Sequence, residues 1–313
     1  RGLGYVYKRQ VKQLVTRGEA TESKHGDKLA SGVHSLPAFE KDATDRNRTS
    51  PFAFTGNKFE FRMVGSTQSI SDPNVVLNTI VADVFADVCD RLEKVEGGVE
   101  AVAMEAHEIT KELLTQHQRV IFNGDGYSDE WVAEAEKRGL PNVKSFVEAI
   151  PYLVTDKTIS MFERQGVMTK TELESRAEIN YEAYAKAINI EAKTMIHMAS
   201  KEYIPAIISY VTSLGDSINS ISAACAEADL SVQKDLLTTC SSLLAKAQTA
   251  LYALKDADKK ANAMEEGKEQ AEFFRDTVFT AMADLRAPID ELEMIVDKEY
   301  WPVPSYGDML FEV

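Results

Sequence analysis

The second half of the sequence is a succession of long amphipathic segments, and no other feature restricts the fold as strongly. Beyond about Lys170 the residues are rich in Ala, Leu, Glu and Lys. The apolar spacing predicts three helical regions, over Thr171–Ala199, Ser217–Asp256 (a pair of helices) and Lys259–Glu299. Pro205 is expected to kink or end the continuation of the first. Helices of this length joined by short polar links pack as an antiparallel bundle.

The first part of the sequence has a different character. From Val11 to about Pro73 it is polar and loop-rich. We expect a short strand at Val33–Leu36 and a clearer one at residues 58–64, where apolar and charged residues alternate. Helices are expected to dominate from there on.

One helix is predicted over residues 74–96. Ser71 or Asp72 is its expected N-cap, and Gly97-Gly98 is its expected stop. Its apolar residues recur at four-residue spacing, which indicates one apolar stripe; they are Val76, Ile80, Val84 and Val88.

Two further helices and a terminal segment complete the prediction. The second helix covers residues 99–119, and the third is capped by Ser128 and stopped by Gly139. The terminal segment "EYWPVPSYGDMLFEV" is aromatic and rich in proline. It is too apolar for a free end, so we expect it to dock on the same chain or on a neighbouring subunit.

Charge and cysteine usage restrict the class of protein. The net charge of −15 and the pI of about 4.9 argue against general nucleic-acid binding, which needs a basic surface. Cys89, Cys225 and Cys240 are widely spaced and form no CxxC pair, as expected of a reducing compartment. The sequence has no run of about eighteen apolar residues, so no membrane helix is predicted. We therefore expect a cytoplasmic protein without nucleic-acid or membrane partners.

The first ten residues, "RGLGYVYKRQ", fit nothing that follows them. We interpret residues 1–10 as a non-native artefact of sequencing-library preparation, so that residue 11 is an arbitrary cut in a longer protein. The alternative is a natural basic arm.

Several familiar sites are not supported by the sequence. His107-Glu108 has no second histidine at the HExxH spacing, since His117 comes ten residues after His107. The stretch "FNGDGYSDEWVAE" resembles a calcium loop, but Tyr127 and Ser128 occupy the fifth and sixth positions, where a ligand and a glycine are needed. The sequence contains neither GxGxxG nor GxxxxGK[ST].

The stretch "NKFEFR" is the strongest candidate site. In a strand, Phe59 and Phe61 share one face, and the charged residues at 58, 60 and 62 share the other. A carboxylate between two cations could serve an anionic ligand or a metal. Taken alone, the stretch is better interpreted as an edge strand with surface ion pairs.

A longer region around this strand resembles the signature of type III glutamine synthetases. It reads "GVHSLPAFEKDATDRNRTSPFAFTGNKFEFRMVGSTQSISDPNVVLNTIVADV", and the similarity continues through "FNGDGYSDEW", "YEAYAKAINIEAKTMIHMA" and "WPVPSYGDMLF". It covers nearly everything after about residue 32. The resemblance implies an α+β fragment, in which a remnant of the catalytic sheet precedes a mainly α-helical C-terminal region with a long-helix bundle.

The resemblance assigns roles to four residues. Arg48 matches the catalytic arginine that stabilises the transferred phosphoryl group, and with Lys58 it would bind the ATP phosphates. Glu60 matches a metal-ligand carboxylate, and Arg62 matches the arginine that holds the carboxylate of glutamate. Other classes place a second arginine where this chain has Ala53.

The implied reaction has two steps, with Mg²⁺ or Mn²⁺ as the metal. ATP phosphorylates the side-chain carboxylate of glutamate, and ammonia then displaces phosphate to give glutamine. The full-length protein is expected to be a homo-oligomer of stacked rings, a dodecamer. The resemblance places residues 11–125 in the C-terminal part of the catalytic domain and residues 126–313 in a helical C-terminal region.

The same resemblance implies that most of the active site lies before residue 32. One glutamate cannot build a metal site that needs several carboxylates, so residues 11–313 alone are expected to be inactive. The alternative is a non-catalytic helical assembly or regulatory module derived from a synthetase.

Overall fold

The structure is a computed structural model. It describes residues 11–19, 28–29, 39–40, 52–54, 59–61, 69–121 and 128–311. The predicted strand at Val33–Leu36 lies outside the described residues.

The chain divides into two compact units. Unit 1 comprises residues 1–144 and 156–169, and unit 2 comprises residues 145–155 and 170–313. The predicted boundary at residue 125 concerns the catalytic domain of a longer protein, so it stays a prediction.

Unit 1 is helical in most of its described part. A short helix, α1, covers residues 11–17. The longer helices are α2 (Ser71–Leu92), α3 (Gly98–Gln116), α4 (Asp129–Lys137) and α6 (Asp156–Arg164), with a 3₁₀ turn at Gln118–Val120. The short helix α5 (Phe146–Ala149) lies in unit 2.

The predicted bounds of the first of these helices were wrong by one turn at each end. α2 begins at Ser71, its N-cap is Ile70, and the amide of Ser71 donates to the Ser69 hydroxyl. It ends at Leu92, and residues 93–97 link it to α3. Gly97 has a φ of 118° and is the N-cap of α3. Glycine adopts this left-handed conformation at little cost because it has no Cβ.

The predicted third helix is confirmed with its caps. The hydroxyl of Ser128 accepts a hydrogen bond from the Trp131 amide, which satisfies one of the free N–H groups of the first turn of α4. Gly139 has a φ of 68° and follows the helix, as expected of a C-terminal glycine.

The described strands form two short antiparallel pairs. β1 (Lys28–Leu29) pairs with β2 (Phe39–Glu40), and β3 (Phe52–Phe54) pairs with β4 (Phe59–Phe61). β4 lies inside the predicted strand at residues 58–64. These pairs do not amount to a catalytic sheet, so only the helical part of the predicted fold class is confirmed.

Unit 2 is a bundle of long helices. It begins with α5 (Phe146–Ala149) and a 3₁₀ turn at Ile150–Val154. The bundle helices are α7 (Lys170–Met198), α8 (Ile204–Ala224), α9 (Ser231–Ala261), α10 (Lys268–Phe273) and α11 (Phe279–Glu293), and α12 (Tyr306–Phe311) follows them.

The interruption at Pro205 is confirmed and takes the form of a π-helical turn. The turn covers Ala199–Tyr203, between α7 and α8, because proline cannot donate to the preceding turn and its ring crowds the carbonyl four residues earlier. A second π-helical turn, Phe274–Val278, joins α10 to α11.

The other breaks between the bundle helices lie at residues 225–230 and 262–267. The helix predicted from Lys259 was therefore wrong at its start.

The core of unit 2 is built around α9, which packs against α7, α8 and α11. Its buried residues recur every three or four positions, which produces one continuous apolar stripe. They are Cys240, Leu243, Ala247, Leu251, Leu254, Ala257 and Ala261. The alanines leave room for the neighbouring helices to approach closely.

The predicted docking of the terminal segment holds for its first half. The ring centroid of Trp301 lies 5.1 Å from that of Tyr203, and Tyr300 lies 5.6 Å from Tyr210. In α12 the apolar side chains remain exposed, as Tyr306 and Phe311 show. These side chains therefore contact little of the described part of the chain.

A carboxylate fixes the start of α12, and its ionisation is expected to control that helix. Asp308 accepts from Lys298 and, at 2.8 Å and 2.7 Å, from the amide and hydroxyl of Ser305. These hydrogen bonds, that of Lys298 above all, lower the pKa of Asp308 to about 2.

The carboxylate is more acidic in the folded chain than in an unfolded one, where the pKa is about 3.9. It therefore stabilises the fold above pH ~4, and the contribution is lost as the pH falls through ~2. The NMR shift of the Ser305 amide should titrate near pH 2 and should stop doing so in Asp308→Asn. A midpoint near 4 would contradict the proposed contacts.

Candidate functional site

The backbone of the candidate site is an antiparallel ladder of two three-residue strands. Ala53 of β3 lies opposite Glu60 of β4. Phe52 pairs with Phe61 and Phe54 pairs with Phe59, and residues paired in an antiparallel ladder share a face. The register therefore places four phenylalanine positions on one face and the Ala53–Glu60 pair on the other.

The register shows which residue lies opposite Ala53, which the sequence alone does not. Ala53 is the direct cross-strand neighbour of Glu60, the candidate metal ligand. Other synthetase classes were expected to have an arginine at this position. A small residue there adds no cation beside Glu60.

The other predicted site residues are not part of the described chain. Arg48, Lys58 and Arg62 lie outside the described residues, and Glu60 is placed by its backbone register. Their assignment to phosphate and glutamate binding stays a prediction.

The described residues alone do not supply a complete set of metal ligands. The described residues contain no group of three or more His, Cys, Asp or Glu side chains that could hold an ion. Within β4, Glu60 has phenylalanine on either side. Because Mg²⁺ demands near-octahedral oxygen coordination, Glu60 could supply at most part of such a site.

The calcium-like stretch is not supported as a cation site in its described part. Residues 122–127 lie outside the described residues. Glu134, which would be the twelfth ligand, accepts a hydrogen bond from Arg138 at 2.6 Å. The same contact lowers the pKa of Glu134, so its carboxylate already has a cationic partner.

Arg138 also binds the backbone beside this stretch. Its Nη1 donates to the carbonyl oxygens of Arg119 at 3.3 Å and Ile121 at 3.0 Å. Its guanidinium lies 5.4 Å from the centre of the Trp131 ring. The arginine thus joins the start and end of α4 to the segment that follows α3, an arrangement that no local sequence pattern predicts.

A second charged cluster joins α2 to α3. Arg91 donates at 2.5 Å to Glu105 and at 2.5 Å to Glu112. The hydrogen bond to Glu112 and then that to Glu105 raise the pKa of Arg91, and Arg91 lowers the pKa of Glu112. Sequence reasoning missed this cluster because its members are 14 and 21 residues apart.

An open depression of about 570 Å³ lies beside α3. Its polar lining side chains are Glu105, His107 and Glu108. Glu105 is paired with Arg91, His107 Nε2 lies 2.8 Å from the carbonyl oxygen of Gly18, and Glu108 lies 3.5 Å from Lys111. Since these groups are engaged within the chain, the depression does not resemble a ligand site.

In the part of the chain that the structure describes, no helix is both long enough and apolar enough to cross a membrane.

Comparison with protein families gives one match to a domain model. The model of the glutamine synthetase C-terminal domain matches residues 105–222. The match begins within α3, so α2 and the β3–β4 ladder precede it.

Three curated relatives match almost the whole chain. A type-3 glutamine synthetase of Dictyostelium discoideum is 39% identical over 91% of this chain. Glutamine synthetases of Butyrivibrio fibrisolvens and Bacteroides fragilis are 37% and 32% identical over 97% and 96% of it. The chain spans only 39–43% of the length of these relatives.

Proposed function

Because the chain belongs to the type 3 glutamine synthetase family, we propose that it is the C-terminal part of an ATP-dependent glutamate–ammonia ligase. The observation that carries this proposal is identity of 32–39% spread over at least 91% of the chain. Similarity of this extent includes the charged strand as well as the helical region. The substrates of the longer protein would be glutamate, ammonia and ATP, and its assembly a cytoplasmic homo-oligomer of stacked rings.

The charged residues of this chain would neutralise and orient the substrates. Arg48 and Lys58 would bind phosphate oxygens, where positive charge stabilises the transferred phosphoryl group. Arg62 would hold a carboxylate of glutamate, because a planar guanidinium grips two oxygens at once.

The proposed reaction consists of two displacement steps. A side-chain carboxylate oxygen of glutamate attacks the terminal phosphorus of ATP, and ADP leaves. Ammonia then attacks the acyl carbon of γ-glutamyl phosphate, loses a proton and expels phosphate. The product is glutamine.

Glu60 would supply one oxygen ligand for Mg²⁺ or Mn²⁺. A bound divalent ion neutralises phosphate charge during such a transfer. The remaining ligands would come from the longer protein, since the described residues hold no complete set.

We expect residues 11–313 alone to form no glutamine. The experiment compares this chain with the longer protein, obtained by extending the gene upstream, in an assay of ATP-dependent glutamine formation. The longer protein should turn over and the isolated chain should not, because one carboxylate cannot complete the metal site. Turnover by the isolated chain would refute the predicted inactivity. A longer protein that makes no glutamine would favour the non-catalytic module instead.

A further inference from the structure

The β3–β4 ladder contains a single charged residue, Glu60. Its other positions are occupied by four phenylalanines and Ala53. The register places the phenylalanines on one face and the Ala53–Glu60 pair on the other. Within the ladder, the charge of Glu60 therefore has one directly opposite neighbour, and that neighbour is alanine.

Directly opposite residues are the closest neighbours across an antiparallel ladder. Their Cβ atoms are generally ~4.5–5.5 Å apart, and opposite charges at such a pair attract whereas like charges repel. A cation at position 53 would be able to pair with Glu60. Alanine ends at its Cβ atom, so it adds neither charge nor bulk. The identity of residue 53 can therefore change the charge beside Glu60 without any change in Glu60 itself.

The charge beside a carboxylate affects how well that carboxylate binds a divalent cation. Mg²⁺ and Mn²⁺ take oxygen ligands, and Glu60 is the one carboxylate of the ladder. A neighbouring cation would repel the metal ion and compete for the same oxygen atoms, whereas a neighbouring carboxylate would attract it. Because alanine does neither, the charge of Glu60 is not compensated from the opposite position of the ladder.

We propose that position 53 sets the affinity of the longer protein for the divalent cation bound at Glu60, and that alanine there leaves the carboxylate available to that ion. The juxtaposition that carries the proposal is the Ala53–Glu60 pair. The inference rests on the proposed role of Glu60 as a metal ligand. It goes beyond that role, because it assigns control of metal affinity to a residue that cannot itself bind a metal.

The test varies the charge of residue 53 among side chains of similar length. Ala53→Glu, Ala53→Gln and Ala53→Arg are made in the longer protein. Binding of Mn²⁺ is measured without substrates, from the loss of the electron paramagnetic resonance signal of the free ion. Ala53→Gln is the matched control, because glutamine has the bulk of glutamate without its charge. Glu60→Gln identifies the bound ion that depends on Glu60.

The affinity for that ion should decrease in the order glutamate, glutamine, arginine at position 53. Relative to Ala53→Gln, Ala53→Arg should weaken binding about tenfold, the effect that a neighbouring opposite charge commonly has on the proton affinity of a carboxylate. Ala53→Glu should tighten binding. Since structural damage does not tighten binding, the glutamate variant tests the proposal even if the arginine variant fails to fold. The effect of arginine should be smaller when Glu60→Gln is also present, because its partner is then lost.

Two results would overturn the proposal. Equal affinities of the glutamate and glutamine variants would mean that charge at position 53 does not act on the ion. The absence of any Mn²⁺ ion whose binding depends on Glu60 would remove the premise.

The readout needs no catalysis, so the two proposals can fail separately. The expected order of affinities in a protein that makes no glutamine would refute the proposed function and leave the role of position 53 standing. Formation of glutamine by a protein whose variants bind Mn²⁺ equally would do the reverse.

Discussion

Glu60→Gln in the longer protein is expected to lower the rate of glutamine formation by about 10²–10³-fold, the loss typical of removing one charge-stabilising group from an active site. The amide preserves the size of the side chain but removes the negative charge that a hard divalent cation requires. The rate should be measured at saturating glutamate and ATP over a range of Mg²⁺ and Mn²⁺ concentrations, where part of the loss should be recovered at high metal.

Glu136→Gln is the matched control for this variant. Glu136 is an exposed glutamate of α4, outside the β3–β4 ladder. Its replacement changes the net charge by the same amount and should leave the rate unaltered. Equal rates for the two variants would remove Glu60 from the site.

Phe274→Ala is expected to destabilise unit 2 by about 3–5 kcal/mol, the usual cost of emptying a buried phenylalanine site. Phe274 is 1% exposed and begins the π-helical turn that packs against α7 and α9. The cavity would lie among helices that cannot close over it without shifting the core. Urea unfolding followed by circular dichroism measures the change.

Phe279→Ala is the control for that loss. Phe279 is the first residue of α11, five positions later, and is 52% exposed. Its replacement should change the free energy of unfolding by less than ~1 kcal/mol. If both alanine variants unfold at the same urea concentration, the π-helical turn is not part of the core.

The helical part of the fold could be predicted because its signals are local. Ser128, Gly139 and Pro205 act through their own backbone geometry, and the structure agrees with each of them. The end of α2 was placed one turn too late because Gly97, interpreted as its stop, is the N-cap of α3. The Arg91 contacts that join the two helices pair residues 14 and 21 positions apart. Such pairings leave no periodic trace in a sequence.

The amphipathic pattern of α2 was predicted, but its orientation was not. Periodicity shows that Ile80 and Val84 share a face without showing which surface receives it. The structure shows that the acidic side meets α6 through Arg164 and the apolar side remains exposed.

The candidate site was predicted from the family resemblance more than from the local sequence pattern. Alternation in "NKFEFR" predicts a strand, and β4 lies within it. Only the longer similarity assigns phosphate, metal and glutamate to particular side chains, and a short run of charges cannot distinguish these ligands. The pairing of Ala53 with Glu60 came from the structure, since cross-strand register is not readable from one strand.

We propose that this chain belongs to a ligase that activates glutamate as an acyl phosphate. The direct test supplies the longer protein with glutamate carrying oxygen-18 in its side-chain carboxylate, together with ATP and ammonia. We expect one labelled oxygen in the released phosphate for each glutamine formed, because that carboxylate oxygen attacks the terminal phosphorus of ATP. Unlabelled phosphate, or hydrolysis of ATP without glutamine, would contradict it.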